Sequence, residues 1–409
     1  MTATAGAPES ASAPLSRSFR FFLWTRFTST AANQILLVAL GWQMYDLTGS
    51  ALDLGLVGLF QLVATLVVTL PAGHLADHVD RRKLLAAAIG FQAVAAGALA
   101  WGSHAGWISR EAILGLSTLI GVMRALQMPA SQALIPKLVS TMQLPRALAI
   151  SSSVMQVAVV SSPALGGFIY ALGADWAYGV CLAVSLVAIA SALAIQHVPI
   201  IQARERATLK SLFAGFGFMF QEPVVLGAIS IDLFAVVLGG VTALLPIYAK
   251  DILQAGPLGL GLLRAAPAVG ALGMGAWLTK HPLERRVGPR FFISVAVFGA
   301  SLLAFAFSKN LLLSLALLAV SGAADMVSVV VRQTLVQVET PDEMRGRVSA
   351  VNATFIVTSN QLGEFRAGTM AAWLGPVGSV VVGGIGTLVV VLAGLRLFPG
   401  LARRDKLVR

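Results

Sequence analysis

Gly73-His-Leu-Ala-Asp77-His-Val-Asp80-Arg81-Arg82-Lys-Leu-Leu85 is a short charged segment that separates two long apolar stretches of the chain. The stretches at 51–72 and 83–102 each have the length and composition of a helix that crosses a lipid bilayer. Charged residues confined to so short a link are typical of a loop between two membrane spans. The segment therefore predicts a helical membrane protein in which Arg81 and Arg82 mark the cytoplasmic side.

The composition of the 409-residue chain excludes most soluble folds. Apolar residues make up 57% of the sequence and charged residues 11%, whereas about 25% charged residues is usual in soluble domains. Disorder of the whole chain requires low hydrophobicity and is excluded as well. The single cysteine, Cys181, forbids an intrachain disulfide, and its place in an apolar run indicates a small buried hydrophobe.

Twelve apolar stretches, each long enough for a membrane-spanning helix, account for nearly the whole chain. Their predicted bounds are 19–45, 51–72, 83–102, 111–135, 144–170, 174–197, 222–249, 257–279, 289–307, 310–337, 346–372 and 376–398. We predict an all-α membrane protein with a disordered tail over 1–18 and a basic tail over 399–409. The small polar residues of the first tail precede the apolar sequence, the reverse of a cleavable signal peptide, so we expect no cleavage.

The positive charges alternate between links and so predict the orientation of the chain. The formal net charge is +11, and 20 of the 29 lysines and arginines lie in the tails and in every second link. Arg110, Lys250 and Lys309 lie in links on the opposite side. By the positive-inside rule, both termini face the cytoplasm. Because topology explains the basic residues, they give no support to nucleic-acid binding.

Weak internal similarity at a spacing of about 200 residues divides the spans into two halves, 19–197 and 222–398. Leu-Gly-Gly-Phe at 165–168 recurs as Leu-Gly-Glu-Phe at 362–365, and Leu-Pro-Arg-Ala-Leu-Ala at 144–149 corresponds to Met-Arg-Gly-Arg-Val-Ser at 344–349. Tyr45 precedes Gly-Leu-Val-Gly-Leu at 55–59 as Tyr248 precedes Gly-Leu-Gly-Leu-Leu at 259–263. Parallel six-span repeats build transporters with a substrate site at midplane between the halves. The link at 198–221 is a cytoplasmic linker or an interfacial amphipathic helix.

The segment at 73–85 resembles the loop signature of the major facilitator superfamily, G-x-L-A-D-R-x-G-R-[RK]-x-x-L, at seven of its nine specified positions. Asp80 replaces the second glycine, and we expect the tight turn to survive because Asp tolerates a positive φ better than most residues. The resemblance implies a network that locks the cytoplasmic ends of the halves in one state and releases them in another. A turn with positive-inside anchors is the alternative. The residues of this gating motif are Gly73, Asp77, Arg81 and Arg82.

Two further segments resemble signatures of the same superfamily. Ser162-Pro163-Ala-Leu-Gly166-Gly167 resembles the end of the antiporter signature, G-P-x-x-G-G, which implies an exporter that works by exchange. Close packing of small residues without directional meaning is the alternative. Arg124-Ala-Leu-Gln127 in the fourth span partly resembles a signature R-x-x-Q-G. A guanidinium at membrane depth is costly, so we favour a cavity-facing role for Arg124, with snorkelling to the membrane surface as the alternative.

Within the superfamily, the best resemblance is to the enterobactin-exporter-like group of transmembrane secretion effectors. It rests on Leu47-Thr-Gly-Ser-Ala51, Leu144-Pro-Arg-Ala147, Leu209-Lys-Ser-Leu-Phe-Ala-Gly-Phe216 and Pro341-Asp-Glu-Met-Arg-Gly-Arg-Val348, in matching places along nearly the whole chain. The resemblance implies the major facilitator fold, with twelve transmembrane helices in two six-helix pseudo-repeats. It does not identify the substrate, because the group includes drug and lipid exporters.

Charged side chains inside the spans are few, and each is costly unless it is paired or hydrated. Asp232 and Glu364 are our candidates for a group that takes and releases a proton, with a permanent ion pair as the alternative for either. Asp325 and Arg332 lie two helical turns apart on one face. The candidates for the central cavity and substrate site are Arg26, Asn33, Gln34, Arg124, Gln127, Arg264, Asp325, Arg332 and Arg366.

These observations predict a secondary active exporter, coupled to protons by antiport and working by alternating access, for a siderophore or a similar amphiphilic small molecule. A multidrug or lysophospholipid carrier is an alternative, and a non-transporting membrane binding or sensory protein is an alternative of another class. The sequence contains no phosphate-binding loop, His or Cys metal cluster, or hydrolase motif, so we expect neither cofactor, metal nor enzymatic activity. We expect a monomer in the cytoplasmic (inner) membrane, with the lipid bilayer, protons and the substrate as its partners.

Overall fold

The chain is all-helical throughout residues 15–196 and 217–406, which are the residues that the computed structural model describes. The first helices are α1 Arg17–Thr48, α2 Ala51–His78, α3 Arg81–Ala105, α4 Arg110–Leu138, α5 Leu144–Tyr170 and α6 Ala174–Leu193. The later ones are α7 Pro223–Gly239, α8 Gly256–Lys280, α9 Val287–Ala306, α10 Leu311–Glu339 and the segment Asp342–Leu397. Gly375, with φ 75° and ψ 167°, divides this segment into α11 (342–374) and α12 (376–397).

Ten helical segments of the described chain are long and apolar enough to cross a membrane. The helix α1 is not among them, since three arginines and a run of Thr, Ser, Asn and Gln lower its apolar character. The segment Arg347–Leu397 is counted once although Gly375 divides it. The chain is therefore a multi-span membrane protein, while the count of twelve spans stays a prediction. The predicted tail over 1–18 and linker over 198–221 lie largely outside the described residues.

Most helix bounds follow the apolar pattern, and side-chain caps explain several of the starts. The predicted span 144–170 coincides with α5. Ser50, Ser109 and Asn310 each accept a hydrogen bond from a backbone N–H in the first turn of α2, α4 and α10. Such caps satisfy one of the donors that a helix start leaves unpaired.

The predicted span 222–249 is wrong as a single helix, because α7 ends at Gly239. Gly240 has a non-helical ψ of 109°. A Cβ at Gly240 would lie 2.8 Å from the carbonyl carbon of Gly363 in α11, so glycine permits two backbones to touch there. The chain continues through a 3₁₀ turn, Thr242–Leu244, and a wide turn, Tyr248–Ile252. A pattern of apolar residues alone does not reveal this break.

The charged segment after the second span also differs from the prediction. The helix α2 continues to His78, so most of the motif is helical rather than a loop. Asp80 keeps the turn, but its φ is −55°, and the expected positive φ was wrong. Instead, the Asp80 carboxylate accepts a hydrogen bond of 3.1 Å from the Arg82 backbone N–H and caps α3. Asp is a preferred residue at such a cap position, which explains why it can stand in place of the glycine.

The first six helices and the last six pack in the same pattern. The contacts of α2 with α4 and of α3 with α6 correspond to those of α8 with α10 and of α9 with α12. The two most extensive contacts between these groups are those of α5 with α8 and of α2 with α11. We refer to α1–α6 as the N-half and to α7–α12 as the C-half.

Glycines bring the helices of the two halves into backbone contact. A Cβ at Gly167 of α5 would lie 3.0 Å from the Cα of Leu258 in α8. A Cβ at Gly55 of α2 would lie 3.0 Å from the carbonyl oxygen of Phe365 in α11. Small residues at such crossings let membrane helices approach closely, and dispersion contacts then hold the helices together.

We expect Gly167→Ala to lower the melting temperature of the purified protein. The added methyl group must displace the backbone of α8, and overpacking of this kind costs about 1–3 kcal/mol. Gly179→Ala in α6 is the matched control, because no atom lies within 4 Å of a Cβ at that position. Equal melting temperatures for the two variants would show that the α5–α8 contact is not tight.

Candidate substrate and coupling sites

Three charged side chains from both halves lie together at the boundary between the halves. Arg124 comes from α4, Arg264 from α8 and Glu364 from α11, and each interacts electrostatically with the other two. A Cβ at Gly58 of α2 would lie 2.9 Å from the Glu364 Oε2 atom, so the carboxyl group reaches across to the N-half. A Cβ at Gly41 of α1 would lie 3.5 Å from an Arg264 Nη atom. We call Arg124, Arg264 and Glu364 the inter-half cluster.

The charges of the inter-half cluster are incompletely paired. Within the described chain, none of its three side chains forms an ion pair of 4.0 Å or less. The Arg264 Nε atom is buried and has no hydrogen-bond partner there. With ordinary ionisation, two guanidinium groups and one carboxylate carry a net charge of +1. The three residues are half-buried, and their mutual attraction only partly offsets the cost of holding their charges at bilayer depth.

Polar side chains of α1 and α4 continue from this cluster. The Gln127 amide donates a hydrogen bond of 2.9 Å to Ser29 Oγ, and the buried Asn33 Oδ1 atom has no partner in the described chain. Arg26 lies nearer the start of α1, and its guanidinium contacts Met155 Sδ at 3.2 Å. Gln34 is half-buried in α1. Four predicted cavity residues thus lie along one pair of neighbouring helices.

A second charged cluster lies entirely within the C-half. Arg332 Nε lies 3.1 Å from Asp232 Oδ2, which Ser328 supports by donating a 2.8 Å hydrogen bond to Oδ1. Arg332 also donates a 2.7 Å hydrogen bond to Asn352 Oδ1. Asp325 interacts electrostatically with both Asp232 and Arg332. We call this group the C-half cluster. With ordinary ionisation, its two carboxylates and one guanidinium would carry a net charge of −1.

Arg366 joins neither cluster. Its guanidinium donates hydrogen bonds to the carbonyl oxygens of Leu238 and Gly240, the latter at 3.3 Å. These carbonyls lie at the broken end of α7, where no following helical turn can supply donors. The structure therefore places Arg366 as a cap on that break, away from the Arg124 and Arg264 side chains.

The two halves are also tied together by polar pairs that the sequence did not reveal. Lys250 forms an ion pair with Asp46 at the end of α1, and the Tyr45 hydroxyl donates a hydrogen bond to Asp251. The Lys250 ammonium also lies 5.7 Å from the centre of the Tyr45 ring, within range of a cation–π contact. The match between Tyr45 and Tyr248 in the internal repeat was the signal that could have pointed to this region. We call Tyr45, Asp46, Lys250 and Asp251 the outer latch, after the side of the membrane on which the charge pattern predicts them to lie.

The structure places the two superfamily motifs differently. Arg82 forms a 2.7 Å ion pair with Asp80 and donates a 3.0 Å hydrogen bond to the Ile195 carbonyl at the end of α6. Arg81 begins α3, and Gly73 and Asp77 lie in the last turns of α2, with side chains outside the described part. The gating role of this motif therefore stays a prediction.

The antiporter-like residues are buried at helix crossings. A Cβ at Gly166 would lie 3.0 Å from the Ile35 Cα atom in α1, and one at Gly261 of α8 would lie 3.0 Å from the Cα of Ala164. Close packing thus requires a small residue at Gly166 and Gly167, while the exchange role of the motif stays a prediction.

The helical fold is that of the major facilitator superfamily of membrane transporters. A single-substitution mutant of the nucleoside transporter NupG matches with a TM-score of 0.70 and 13% identity over 93% of this chain and 100% of that chain. An inward-facing bacterial homolog of the human lysosomal transporter Spinster matches with a TM-score of 0.69 and 14% identity, over 97% and 96% of the two chains. At these identities the likeness shows the fold alone.

The chain belongs to the transmembrane secretion effector family, whose profile matches residues 9–404. It is 30% identical over 390 residues to the enterobactin exporter EntS of Escherichia coli O1:K1 / APEC, which covers 93% of each chain. EntS of Citrobacter koseri is also 30% identical, over 95% of this chain and 93% of that protein. The sequence-based recognition of this group is confirmed. The relatives are transporters rather than enzymes, which confirms that prediction too.

We expect the outer latch to favour a state in which the outer ends of the halves are closed. Asp46→Lys should break the ion pair with Lys250 and make a cysteine introduced at Asn33 react several-fold faster with a membrane-impermeant thiol reagent from outside. The double variant Asp46→Lys with Lys250→Asp restores opposite charges and should return the reaction to the slower rate. If the swapped pair reacts as fast as the single variant, the ion pair does not hold the outer ends together.

Proposed function

We propose that the chain is a secondary active exporter that exchanges protons for a siderophore or a similar amphiphilic small molecule by alternating access. The observation that carries the proposal is the match to enterobactin exporters over 93% of both chains. The inter-half cluster supports it, because incompletely paired charges between two halves of a transporter suit a site that a ligand completes. The fold supports transport without indicating its direction.

The moving units in this proposal are the six-helix halves 19–197 and 222–398, which together make twelve spans. Both termini would face the cytoplasm, and the protein would act as a monomer in the cytoplasmic membrane. Support for the orientation comes from the outer latch and from a second pair, Arg110 with Asp53, whose Nε and Oδ1 atoms lie 2.7 Å apart. Lys250 and Arg110, two cations that the charge pattern assigns outside, therefore both find acidic partners at helix ends.

Alternating access requires two closures that exclude each other. The outer latch would hold the outer ends together, as described above. The gating motif Gly73, Asp77, Arg81 and Arg82 would hold the cytoplasmic ends in the opposite state. The contacts between α5 and α8 and between α2 and α11 would act as the surfaces about which the halves rock.

The C-half cluster supports a proton step. Two carboxylates share one guanidinium there, and a proton on either carboxylate would make the cluster neutral. Asp232 would thus exchange its proton while Arg332 and Asp325 adjust around it. Glu364 is the second candidate, since it faces two guanidinium groups without a close ion pair to either. A permanent ion pair between Asp232 and Arg332 is the competing role for that carboxylate.

Other functions are compatible with the same fold and the same clusters. A multidrug or lysophospholipid carrier would use the same halves and the same clusters with a different amphiphile. A binding or sensory protein of this fold would bind such a molecule without moving it, because fold alone does not determine function.

Flux of enterobactin from proteoliposomes under an imposed pH gradient tests the proposal. We expect the wild type to move enterobactin against its gradient when the outer side is acidic. Asp232→Asn should abolish this coupling if the C-half cluster carries the proton, and Glu364→Gln should do so if the inter-half cluster carries it. Glu111→Gln is the control, because this carboxylate is exposed at the start of α4.

Each result of the flux experiment has a definite meaning. Full gradient coupling in both variants would remove the proton step from the proposal. Flux of lysophospholipid or of cationic dyes in place of enterobactin would select the corresponding alternative. An absence of flux for every amphiphile would favour the binding or sensory function.

A further inference from the structure

We infer that the substrate is an organic anion whose acidic group, a carboxylate, phosphate or ionised catechol, binds between Arg124 and Arg264 in the inter-half cluster. The inference rests on the proposed function for the amphiphilic character of the molecule and the direction of its movement. The anion site itself is argued from the charges of this chain.

The first argument is the unbalanced charge of the cluster. A guanidinium at bilayer depth costs a few kcal/mol unless it is paired or hydrated. Arg124 and Arg264 share one carboxylate, that of Glu364, and neither forms a close ion pair with it in the described chain. The Arg264 Nε donor is buried without an acceptor. An incoming carboxylate or phosphate would bring the net charge from +1 to zero or below and would accept bidentate hydrogen bonds.

The second argument is the spatial order of the arginines along α1. The hydrogen bond between Ser29 and Gln127 sets the register of α1 against the antiparallel α4. Along the helix axes, Arg26 then lies about 4.5 Å to one side of this hydrogen bond, and Arg124 lies about 4.5 Å to the other side. Arg264 reaches Gly41, roughly 18 Å further along α1 than Ser29.

The three arginines therefore form a track from the start of α1 towards its far end. In the described chain, Arg26 contacts a methionine sulfur and no carboxylate. With both termini cytoplasmic, the track would run from the cytoplasmic entrance to the inter-half cluster. A column of cations with one acid beside it attracts anions and repels cationic amphiphiles.

The inference also separates the two candidates for proton exchange. A proton on Glu364 removes its negative charge and so strengthens the attraction of Arg124 and Arg264 for an anion. Proton and anion would then bind together, which is the linkage of cotransport in one direction. Exchange in opposite directions requires proton binding to oppose anion binding, for which a proton on Glu364 is unsuited. The C-half cluster, which includes neither Arg124 nor Arg264, is the other group that the structure offers for the proton.

The test measures binding rather than transport, so that it does not depend on the exporter proposal. Purified full-length protein is titrated with two matched pairs, N-dansylglycine against N-dansylglycinamide and decyl phosphate against decanol. The readout is the rise in melting temperature, from which an apparent affinity follows by mass action. We expect both acids to bind at least tenfold more tightly than their neutral partners, and the tighter acid to indicate the preferred head group.

Variants then locate the site. Arg124→Gln and Arg264→Gln should each weaken binding of the acids about tenfold or more, while Arg264→Lys should retain the preference for acids. Glu364→Gln should tighten binding of the acids several-fold. Arg396→Gln, at the exposed end of α12, is the control and should leave the affinities unchanged.

Several outcomes would overturn the inference. They are a lack of binding by both acids, equal or tighter binding of the neutral partners, acid binding that survives loss of both arginines, and weaker acid binding in Glu364→Gln. Acid binding without any flux would contradict the exporter proposal and leave the anion site intact. Flux of a neutral amphiphile without preference for acids would contradict the anion site and leave the exporter proposal intact.

Discussion

The interior of this transporter is organised by the cost of holding guanidinium groups at bilayer depth. Arg124 and Arg264 come from opposite halves and share the single carboxylate of Glu364. The tight crossings of α5 with α8 and of α2 with α11 bring these side chains together. Two glycines make room for these side chains: Gly58 for the Glu364 carboxyl group and Gly41 for the Arg264 guanidinium. Relative movement of the halves therefore changes the environment of all three charges.

The internal repeat shows how this asymmetry arises from two similar halves. Gly167 in Leu-Gly-Gly-Phe corresponds to Glu364 in Leu-Gly-Glu-Phe. In α5, the glycine lets the helix lie against the backbone of α8, whereas in α11 the glutamate faces Gly58 of α2. The same position of the repeat thus holds a glycine that packs against a helix in the N-half and a charged glutamate in the C-half. The buried acid Asp232 and the half-buried Asp325 also belong to the C-half, while Arg26 and Arg124 belong to the N-half.

The sequence was a good guide to local structure because bilayer thickness and apolar composition together determine where membrane helices run. The predicted span 144–170 coincides with α5 for this reason. Neighbouring residues in the sequence did not predict the structural features that depend on a residue far away in the chain. The break at Gly240 depends on Gly363, and the cap made by Arg366 depends on that break. Asp80 was expected to replace glycine because Asp tolerates a positive φ. In the structure, the Asp80 carboxylate instead accepts a hydrogen bond from the Arg82 backbone N–H.

The candidate sites show the same division between local and distant information. The charged residues inside the spans could be singled out from the sequence because they are few, since each is costly in a membrane. It did not say that Asp232 pairs with Arg332, a partner 100 residues away, or that Ser328 and Asn352 support them. The outer latch was missed because its residues lie at helix ends, where charge is ordinary.

The central claim is that the substrate carries negative charge between the two arginines, and the response of transport to membrane voltage tests it most directly. Proteoliposomes without a pH gradient, clamped by potassium and valinomycin, would report efflux of N-dansylglycine from the compartment that faces the cytoplasmic surface. An anion leaving a negative compartment gains about 2.3 kcal/mol per charge for each 100 mV. The account predicts that making this compartment negative accelerates efflux of the acid more steeply than efflux of N-dansylglycinamide, because exchange of the neutral amide for a proton moves one charge fewer. Efflux of the acid that ignores the voltage, or that slows under it, would contradict the account.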